Sequence, residues 1–92
     1  MMIYEPLPVY TAEQINAMSE REYRTYETRC RRAAQRQGLR LEKSRRRDPR
    51  AYDYGTYQLV DPSTNTLVAY ELEDGYGLGL DDIARALNED PK

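Results

Sequence analysis

A helical repeat of small and aromatic side chains dominates the first half of the chain. Five side chains spaced 3, 4, 3 and 4 residues apart share one stripe of this repeat: Tyr23, Tyr26, Cys30, Ala33 and Gln37. Side chains at this spacing lie on the same face of an α-helix, so we expect the stripe to be buried. The pattern predicts helical structure over residues 11–37, with a kink near Met18 and Ser19.

Two capping boxes mark the starts of this helical region. Thr11 is followed three residues later by Gln14, and Ser19 is followed three residues later by Glu22. In such a box the two residues satisfy each other's free backbone amides in the first turn of a helix. Gly38 predicts the end of the second helix, because glycine readily adopts the left-handed conformation that closes many helices.

Alternating apolar and polar residues predict a three-stranded antiparallel sheet over residues 39–72. Its strands are expected at 39–44, 56–61 and 66–72. The turn residues Pro62–Asn65 join the second and third strands in a hairpin.

The register of this hairpin determines which side chains face the core. Pairing of Asp61 with Thr66 would continue regularly along both strands. The side chains expected on the core face are Leu39 and Leu41, together with two opposed pairs, Leu59 with Val68 and Tyr57 with Tyr70.

The two ends of the chain have contrasting patterns. Residues 1–10 contain Pro6 and Pro8, which lack backbone donors and predict an extended arm. A glycine-rich loop over 73–79 leads into a predicted helix over residues 79–89. Four side chains of this helix have amphipathic spacing: Leu80, Ile83, Ala84 and Leu87.

Together these elements predict an α+β fold with helices packed on one face of the sheet. The 92 residues are enough for a single domain and too few for two. Because 39% of the residues are apolar and 33% are charged, we expect a thin core under a strongly solvated surface.

No apolar segment approaches the length of a membrane span, so we expect a cytoplasmic protein without a membrane partner.

Composition also excludes most kinds of catalysis. The chain contains no His, which rules out histidine acid–base chemistry and imidazole metal ligands. Its single cysteine, Cys30, cannot form an internal disulfide and lies on the buried stripe. We therefore expect no enzymatic activity, no catalytic residue, no metal and no cofactor.

Charge is segregated along the sequence. The net charge is −3 over residues 1–20, +8 over 21–50 and −7 over 51–92, which together give −2. Such asymmetry is typical of proteins that bind nucleic acid or another polyanion. An internal ion-pair network between the acidic end and the basic middle is the alternative, and the sequence leaves both open.

Two sets of arginines in the basic middle are candidate binding residues. The denser set lies in a predicted loop between strands: Arg45, Arg46, Arg47 and Arg50. The second set forms a ridge on the long helix, away from the buried stripe, and includes Arg29, Arg32 and Arg36. Arginine suits bidentate contacts with phosphate and stacking on aromatic rings. These seven residues are expected to bind nucleic acid or an acidic protein.

Three tyrosines, Tyr52, Tyr54 and Tyr57, directly follow the arginine cluster. An arginine run beside exposed aromatic rings is a composition that stacks single-stranded bases. Tyrosine is the only aromatic residue type in the chain, however, so several of the nine tyrosines must form the core. For Tyr57 the core position is favoured.

The segments RQGLRLEKSRRRDP and YGTYQLVDPSTNTLVA, within the stretch from Arg31 to Tyr70, resemble a group of small proteins from actinobacteria and their phages. The closing LDDIARAL helix is similar in kind. The resemblance covers about the last two thirds of the chain and excludes the arm before Ser19. It implies an actinobacterial or phage setting, and it brings no activity or site residue with it. In architecture the predicted fold also resembles small three-stranded DNA-binding domains of the integrase-arm type.

Two functions follow as hypotheses. The first is a nucleic-acid-binding module whose arginine cluster and helical ridge contact the phosphate backbone. The second is a protein-interaction module of phage or bacterial origin that binds an acidic host protein, with the proline arm docking as an extended strand. The sequence leaves the oligomeric state open, including a homodimer.

Overall fold

The computed structural model describes residues 7–51, 53–73 and 75–87. Its elements, in chain order, are α1 (Ala12–Asn16), α2 (Glu20–Arg36), β1 (Arg40–Lys43), β2 (Tyr57–Asp61), β3 (Thr66–Ala69) and α3 (Leu80–Leu87). The strands form an antiparallel sheet in the order β1-β2-β3, and α2 and α3 pack against it, which confirms the α+β class. The predictions for residues 1–6, for Tyr52 and for positions 88 and 89 lie outside the described residues.

Both predicted capping boxes are present, and they explain why the helical region divides. Thr11 and Gln14 exchange hydrogen bonds of 2.8 and 3.2 Å, and Ser19 and Glu22 exchange hydrogen bonds of 3.1 and 3.2 Å. The backbone of Ser19 is extended so that its side chain can cap α2, and the chain therefore leaves the helical conformation before this residue. The hydrogen bond from the Ser19 amide holds the pKa of Glu22 below its ordinary value.

Gly38 ends α2 as predicted, with a positive φ of 76°. Its amide donates to the Gln35 carbonyl at 3.0 Å, and the Leu39 amide donates to the Ala34 carbonyl at 2.8 Å. These two bonds form a Schellman motif, which turns the chain directly from α2 into β1. Helix and strand therefore lie side by side, and α2 packs along β1.

Pairing between β2 and β3 begins in the predicted register and then shifts by one residue. Asp61 pairs with Thr66, as predicted. Leu59 pairs with Ala69 rather than with Val68, because a β-bulge follows Leu59 along β2. The extra residue on β3 moves the side chains beyond the bulge to the opposite face of the sheet.

The prediction that Val68 and Tyr70 face the core is therefore wrong. Their side chains are 51% and 49% exposed, and Ala69 packs against the core instead. The pairing of Tyr57 with Tyr70 is also wrong, because Tyr57 forms an isolated bridge with Leu78 and β3 ends at Ala69. The remaining predicted core positions are confirmed as buried or packed against the core: Leu39, Leu41, Tyr57 and Leu59.

The chain after β3 folds back over the face of the sheet that the helices leave uncovered. The Tyr76 amide donates to the Gln58 side chain at 3.0 Å on this face. Leu78 then lies beside β2 in the plane of the sheet, where it exchanges backbone hydrogen bonds of 2.8 and 3.2 Å with Tyr57. Gln58 and Val60, which alternate with the core-facing residues of β2, are both buried. The central strand is thus covered on both faces, by helices on one side and by this segment on the other.

The core lies between the sheet and the two longer helices. Tyr26, Cys30 and Ala33 of the predicted stripe are buried, as are all four predicted apolar positions of α3. Gln37 is exposed, but its Nε2 donates to the Leu87 carbonyl at 2.6 Å and so joins the ends of α2 and α3. Among the described residues, no helix has both the length and the apolarity needed to cross a membrane.

Residues 7–10 of the predicted arm pack on α2. Leu7 is buried, and the Tyr26 hydroxyl donates to the Pro8 carbonyl at 2.6 Å. The rings of Tyr10 and Tyr26 meet edge to face with centroids 5.0 Å apart. Burial raises the pKa of Tyr26 to about 12. This part of the arm belongs to the core and is not a free strand for a partner.

Leu59→Ala is expected to lower the free energy of unfolding by about 2 to 4 kcal/mol, because a fully buried leucine leaves a cavity that the core cannot fill. Val68→Ala is the matched control, and its half-exposed side chain predicts a change within about 0.5 kcal/mol. Urea denaturation of both variants measures the difference. Equal losses of unfolding free energy in the two variants would contradict the bulged register and support the regular pairing of Leu59 with Val68.

Candidate nucleic-acid interface

The predicted arginine cluster lies between β1 and β2 in residues 44–56, which we call the basic loop. The Ser44 amide donates to the Thr56 carbonyl at 2.8 Å and closes the loop where the two strands end. The Ser44 hydroxyl donates to Asp53 Oδ2 at 3.1 Å and accepts a hydrogen bond from the Arg46 amide at 3.3 Å. Ser44 is buried, so the base of the loop is a fixed part of the fold.

A turn shapes the tip of the basic loop. The Asp48 carboxylate accepts a hydrogen bond from the Arg50 amide at 2.9 Å, and the Asp48 carbonyl accepts one from the Ala51 amide at 2.9 Å. An aspartate side chain that binds the backbone two residues later is a common turn former. All four arginines of the predicted cluster are exposed around this turn: Arg45, Arg46, Arg47 and Arg50.

A groove of about 530 Å³ lies between the basic loop, the end of β1 and the start of α2. We call it the basic groove, and it is lined by Tyr23, Lys43, Ser44, Arg46, Arg47, Tyr54 and Gly55. Three of these residues are cations, two are tyrosines and none is acidic. The groove therefore offers both positive charge and aromatic surface to a ligand.

Beneath the basic groove, Tyr57 joins the sheet to α2. Tyr57 is fully buried, and its hydroxyl donates to Glu27 Oε2 and lies 2.9 Å from the Tyr23 hydroxyl. Because the single Tyr57 proton is used on Glu27, Tyr23 is the donor in the second bond. Burial, reinforced by these hydrogen bonds, raises the pKa of Tyr57 far above its ordinary value, and burial also raises the pKa of Tyr23. The neutral hydroxyl pair fixes the Tyr23 ring in the groove wall.

Two cations of the groove lie near carboxylates but are not hydrogen-bonded to them. Lys43 Nζ is 3.9 Å from Glu27 Oε2 and 5.7 Å from the centroid of the Tyr57 ring. Arg46 Nε is 3.7 Å from Asp53 Oδ1, a buried oxygen without a hydrogen-bond partner among the described residues. Hydrogen bonds between N–H and O are about 2.7 to 3.2 Å long, so both cations keep donors free for an anion.

Three other exposed arginines are paired with acids on their own element: Arg24 with Glu20 at 2.6 Å, Arg40 with Glu42 at 3.0 Å, and Arg85 with Asp81 at 3.3 Å. In contrast, no ion pair involves Arg45, Arg47 or Arg50 within the part of the chain that the structure describes. Arg46 lies 3.7 Å from Asp53 of the same loop, and among the described residues no ion pair joins the loop arginines to an acid beyond residue 56. Among the described residues, the ion pairs of the fold therefore leave Arg45, Arg47 and Arg50 without an ion-pair partner.

The arginine ridge on α2 faces away from the basic groove. Successive helical residues are about 100° apart, so Arg29, Arg32 and Arg36 lie about 120° to 180° around the helix from Tyr23. Arg29 lines a separate cleft of about 260 Å³ beside Tyr10. Both Arg29 and Arg36 already take part in interactions within the protein. The two predicted sets of arginines thus lie on different surfaces.

Sequence reasoning missed two residues of the basic groove. Lys43 is the last residue of β1, and Tyr23 was expected on the buried stripe. The pairing of Lys43 with Tyr57 and the contact between the two tyrosine hydroxyls bring them together. The position of Lys43 next to the arginine cluster was a usable signal, whereas nothing in the sequence distinguishes Tyr23. Tyr54 lines the groove with 49% of its surface exposed.

Two other candidate reactive groups, the Cys30 thiol and the Gly79 amide, are enclosed by the fold or bonded within it. Cys30 is fully buried, and burial raises the pKa of its thiol to about 12, so the reactive thiolate is scarce near neutral pH. At the start of α3 the Gly79 amide donates to Asp82 Oδ2 at 3.1 Å and is not open to an anion. Within residues 7–51, 53–73 and 75–87, no group of three or more acidic or cysteine side chains could hold a metal ion.

Comparison with protein-family models, curated proteins and solved structures finds no match for this chain. Its function must therefore be inferred from the chemistry of the basic loop and the basic groove.

Tyr57→Phe is expected to lower the free energy of unfolding by about 1 to 3 kcal/mol, because Glu27 and the Tyr23 hydroxyl both lose their partner. Tyr23→Phe is the matched control, with an expected loss of about 1 kcal/mol or less, because Tyr57 keeps its bond to Glu27. Guanidinium denaturation compares the two variants. A loss for Tyr57→Phe no larger than that for Tyr23→Phe would show that the hydroxyl of Tyr57 does not fasten α2 to the sheet.

Proposed function

We propose that the protein is a small, non-enzymatic nucleic-acid-binding module that contacts the phosphate backbone through the basic loop. The binding residues are Arg45, Arg46, Arg47 and Arg50, with Lys43 beside them in the basic groove. The observation that carries the proposal is that these cations are exposed and lack hydrogen-bonded acidic partners in the described part of the chain. Phosphate oxygens fit such donors, and arginine can hold them in a bidentate manner.

The charge distribution favours one orientation of the nucleic acid. The protein has a net charge of −2, although residues 21–50 carry +8. The acidic ends repel a polyanion while the basic loop attracts it, so encounters are steered to the loop. The ridge of Arg29, Arg32 and Arg36 lies on another surface and adds long-range attraction rather than direct contacts. Binding is then expected to be modest in affinity and steeply dependent on salt.

The setting that we propose is the cytoplasm of an actinobacterial cell or of a phage-infected host. The resemblance of RQGLRLEKSRRRDP and YGTYQLVDPSTNTLVA to small actinobacterial and phage proteins supports it. Absence of His from the chain and burial of its one thiol support a role in binding without catalysis and without a cofactor.

A second candidate function is binding to an acidic host protein. The observation that favours it is the edge strand β3, where Leu67 and Val68 are partly or half exposed and the half-exposed Tyr70 follows directly. An edge strand can pair with a strand of a partner through its main chain, while the basic loop meets acidic side chains. The arginines of the basic loop would bind either ligand. A test of the proposed function must therefore distinguish binding to nucleic-acid phosphates from binding to the carboxylates of a protein.

Replacement of Arg45, Arg46 and Arg47 by Ala tests the proposed function. Each arginine neutralises about one phosphate, so the slope of log affinity against log salt on duplex DNA is expected to fall by about 2 to 3. Fluorescence anisotropy with a labelled duplex at several salt concentrations measures the slope. Melting temperature, followed by circular dichroism, is expected to change little, because exposed ion pairs contribute about 1 kcal/mol or less each.

The control is a variant that removes the same charge elsewhere, Arg21, Arg24 and Arg85 to Ala. These side chains are also exposed, and the variant has the same net charge as the loop variant. Its slope is expected to stay within about 1 of the unaltered protein. Equal slopes for the two variants, or no binding by the unaltered protein at low salt, would refute binding through the basic loop.

A further inference from the structure

The basic groove differs from the tip of the basic loop because it contains an exposed aromatic ring. We propose that this groove binds an unpaired nucleotide of single-stranded nucleic acid, with its base stacked on Tyr54 and its phosphates on Lys43, Arg46 and Arg47. This inference rests on the proposed function and specifies which form of nucleic acid the protein prefers.

Tyr54 is positioned as a stacking platform. About half of its surface is exposed, and it lines the groove together with three cations. Its amide donates to the Ala51 carbonyl at 3.0 Å, and the next residues are fixed by the hydrogen bonds of Thr56 to Asp53. The backbone on both sides of the ring is therefore held before any ligand arrives, which lowers the entropy lost on binding.

Space beside the ring is open. Gly55 adjoins Tyr54 in the groove lining, and a Cβ atom at Gly55 would meet no atom of the described residues within 4 Å apart from its two chain neighbours. The groove volume of about 530 Å³ is in the range of pockets that hold a small molecule or a single nucleotide. A paired base cannot present its face to such a pocket, because its neighbours in the duplex already stack on it.

The cations of the groove belong to the end of β1 and to the basic loop, and they line the same groove as the Tyr54 ring. Lys43, Arg46 and Arg47 line the same groove as the ring, and the first two keep donors free. This combination of a positively charged groove with an aromatic ring is the arrangement that binds single strands with little sequence preference. An acidic peptide would use the cations but would gain little from the ring, so the exposed ring favours a nucleotide.

Fluorescence anisotropy with two probes tests the inference: a labelled 12-nucleotide oligothymidylate and a labelled blunt-ended DNA duplex of similar charge. Tyr54→Leu is expected to weaken binding of the single strand by about 5- to 100-fold, as loss of one base-stacking ring does, and to change duplex binding less than about 2-fold. Tyr54→Phe keeps a stacking ring and is expected to retain affinity. Tyr70→Leu is the matched control, because Tyr70 has the same 49% exposure and lies just beyond the end of β3.

The outcomes separate this inference from the proposed function. Selective loss of single-strand affinity in Tyr54→Leu, with Tyr54→Phe and Tyr70→Leu unchanged, supports the stacking site. Equal loss on both probes, no loss, or the same loss in Tyr54→Phe overturns it, while continued dependence on the loop arginines preserves the proposed function. If neither probe binds the unaltered protein at low salt, the stacking site and the proposed nucleic-acid-binding function are both refuted. Circular dichroism melting of each variant confirms that the comparison is made between folded proteins.

Discussion

The buried hydroxyl of Tyr57 fastens α2 to the sheet, and the basic groove depends on that attachment. Tyr57 donates to Glu27 on the helix, accepts from Tyr23, pairs along the sheet with Lys43 and exchanges backbone hydrogen bonds with Leu78. One residue thus connects the helix, two strands and the segment that covers the other face of the sheet. Tyr23 and Lys43, which contact it, are also walls of the groove. Stability and the candidate site therefore share the same residues.

A second constraint is the Asp53 carboxylate at the base of the basic loop. It binds the Ser44 hydroxyl and lies near Arg46 without a full hydrogen bond. The loop backbone is thus fixed while its cations stay available, which is the arrangement a polyanion-binding loop requires. An acidic protein overall can in this way present a local basic surface, and three acids elsewhere in the fold, Glu20, Glu42 and Asp81, are engaged with arginines on their own elements.

Features that depend on neighbouring residues could be predicted from the sequence, whereas contacts between distant parts of the chain could not. Capping boxes at Thr11 and Ser19, the glycine end of α2 and the apolar spacing of α3 act over a few residues, so all were predicted correctly. The bulge after Leu59 was not predicted, because no glycine or proline within β2 or β3 marks a change of register in the sequence. Likewise the arginines of the basic loop were predicted as candidates, whereas Tyr23 reaches the groove because of its contact with Tyr57.

The central claim is that ligand binding is localised to the basic groove. It is tested most directly by titrating ¹⁵N-labelled protein with a short oligothymidylate at low salt and following the backbone amide signals. If the ligand binds in the groove, the largest shifts are expected at six of its residues: Lys43, Ser44, Arg46, Arg47, Tyr54 and Gly55. Shifts concentrated on β3, at Leu67 and Val68, or along the arginine ridge of α2, would contradict it, as would a spectrum that does not change.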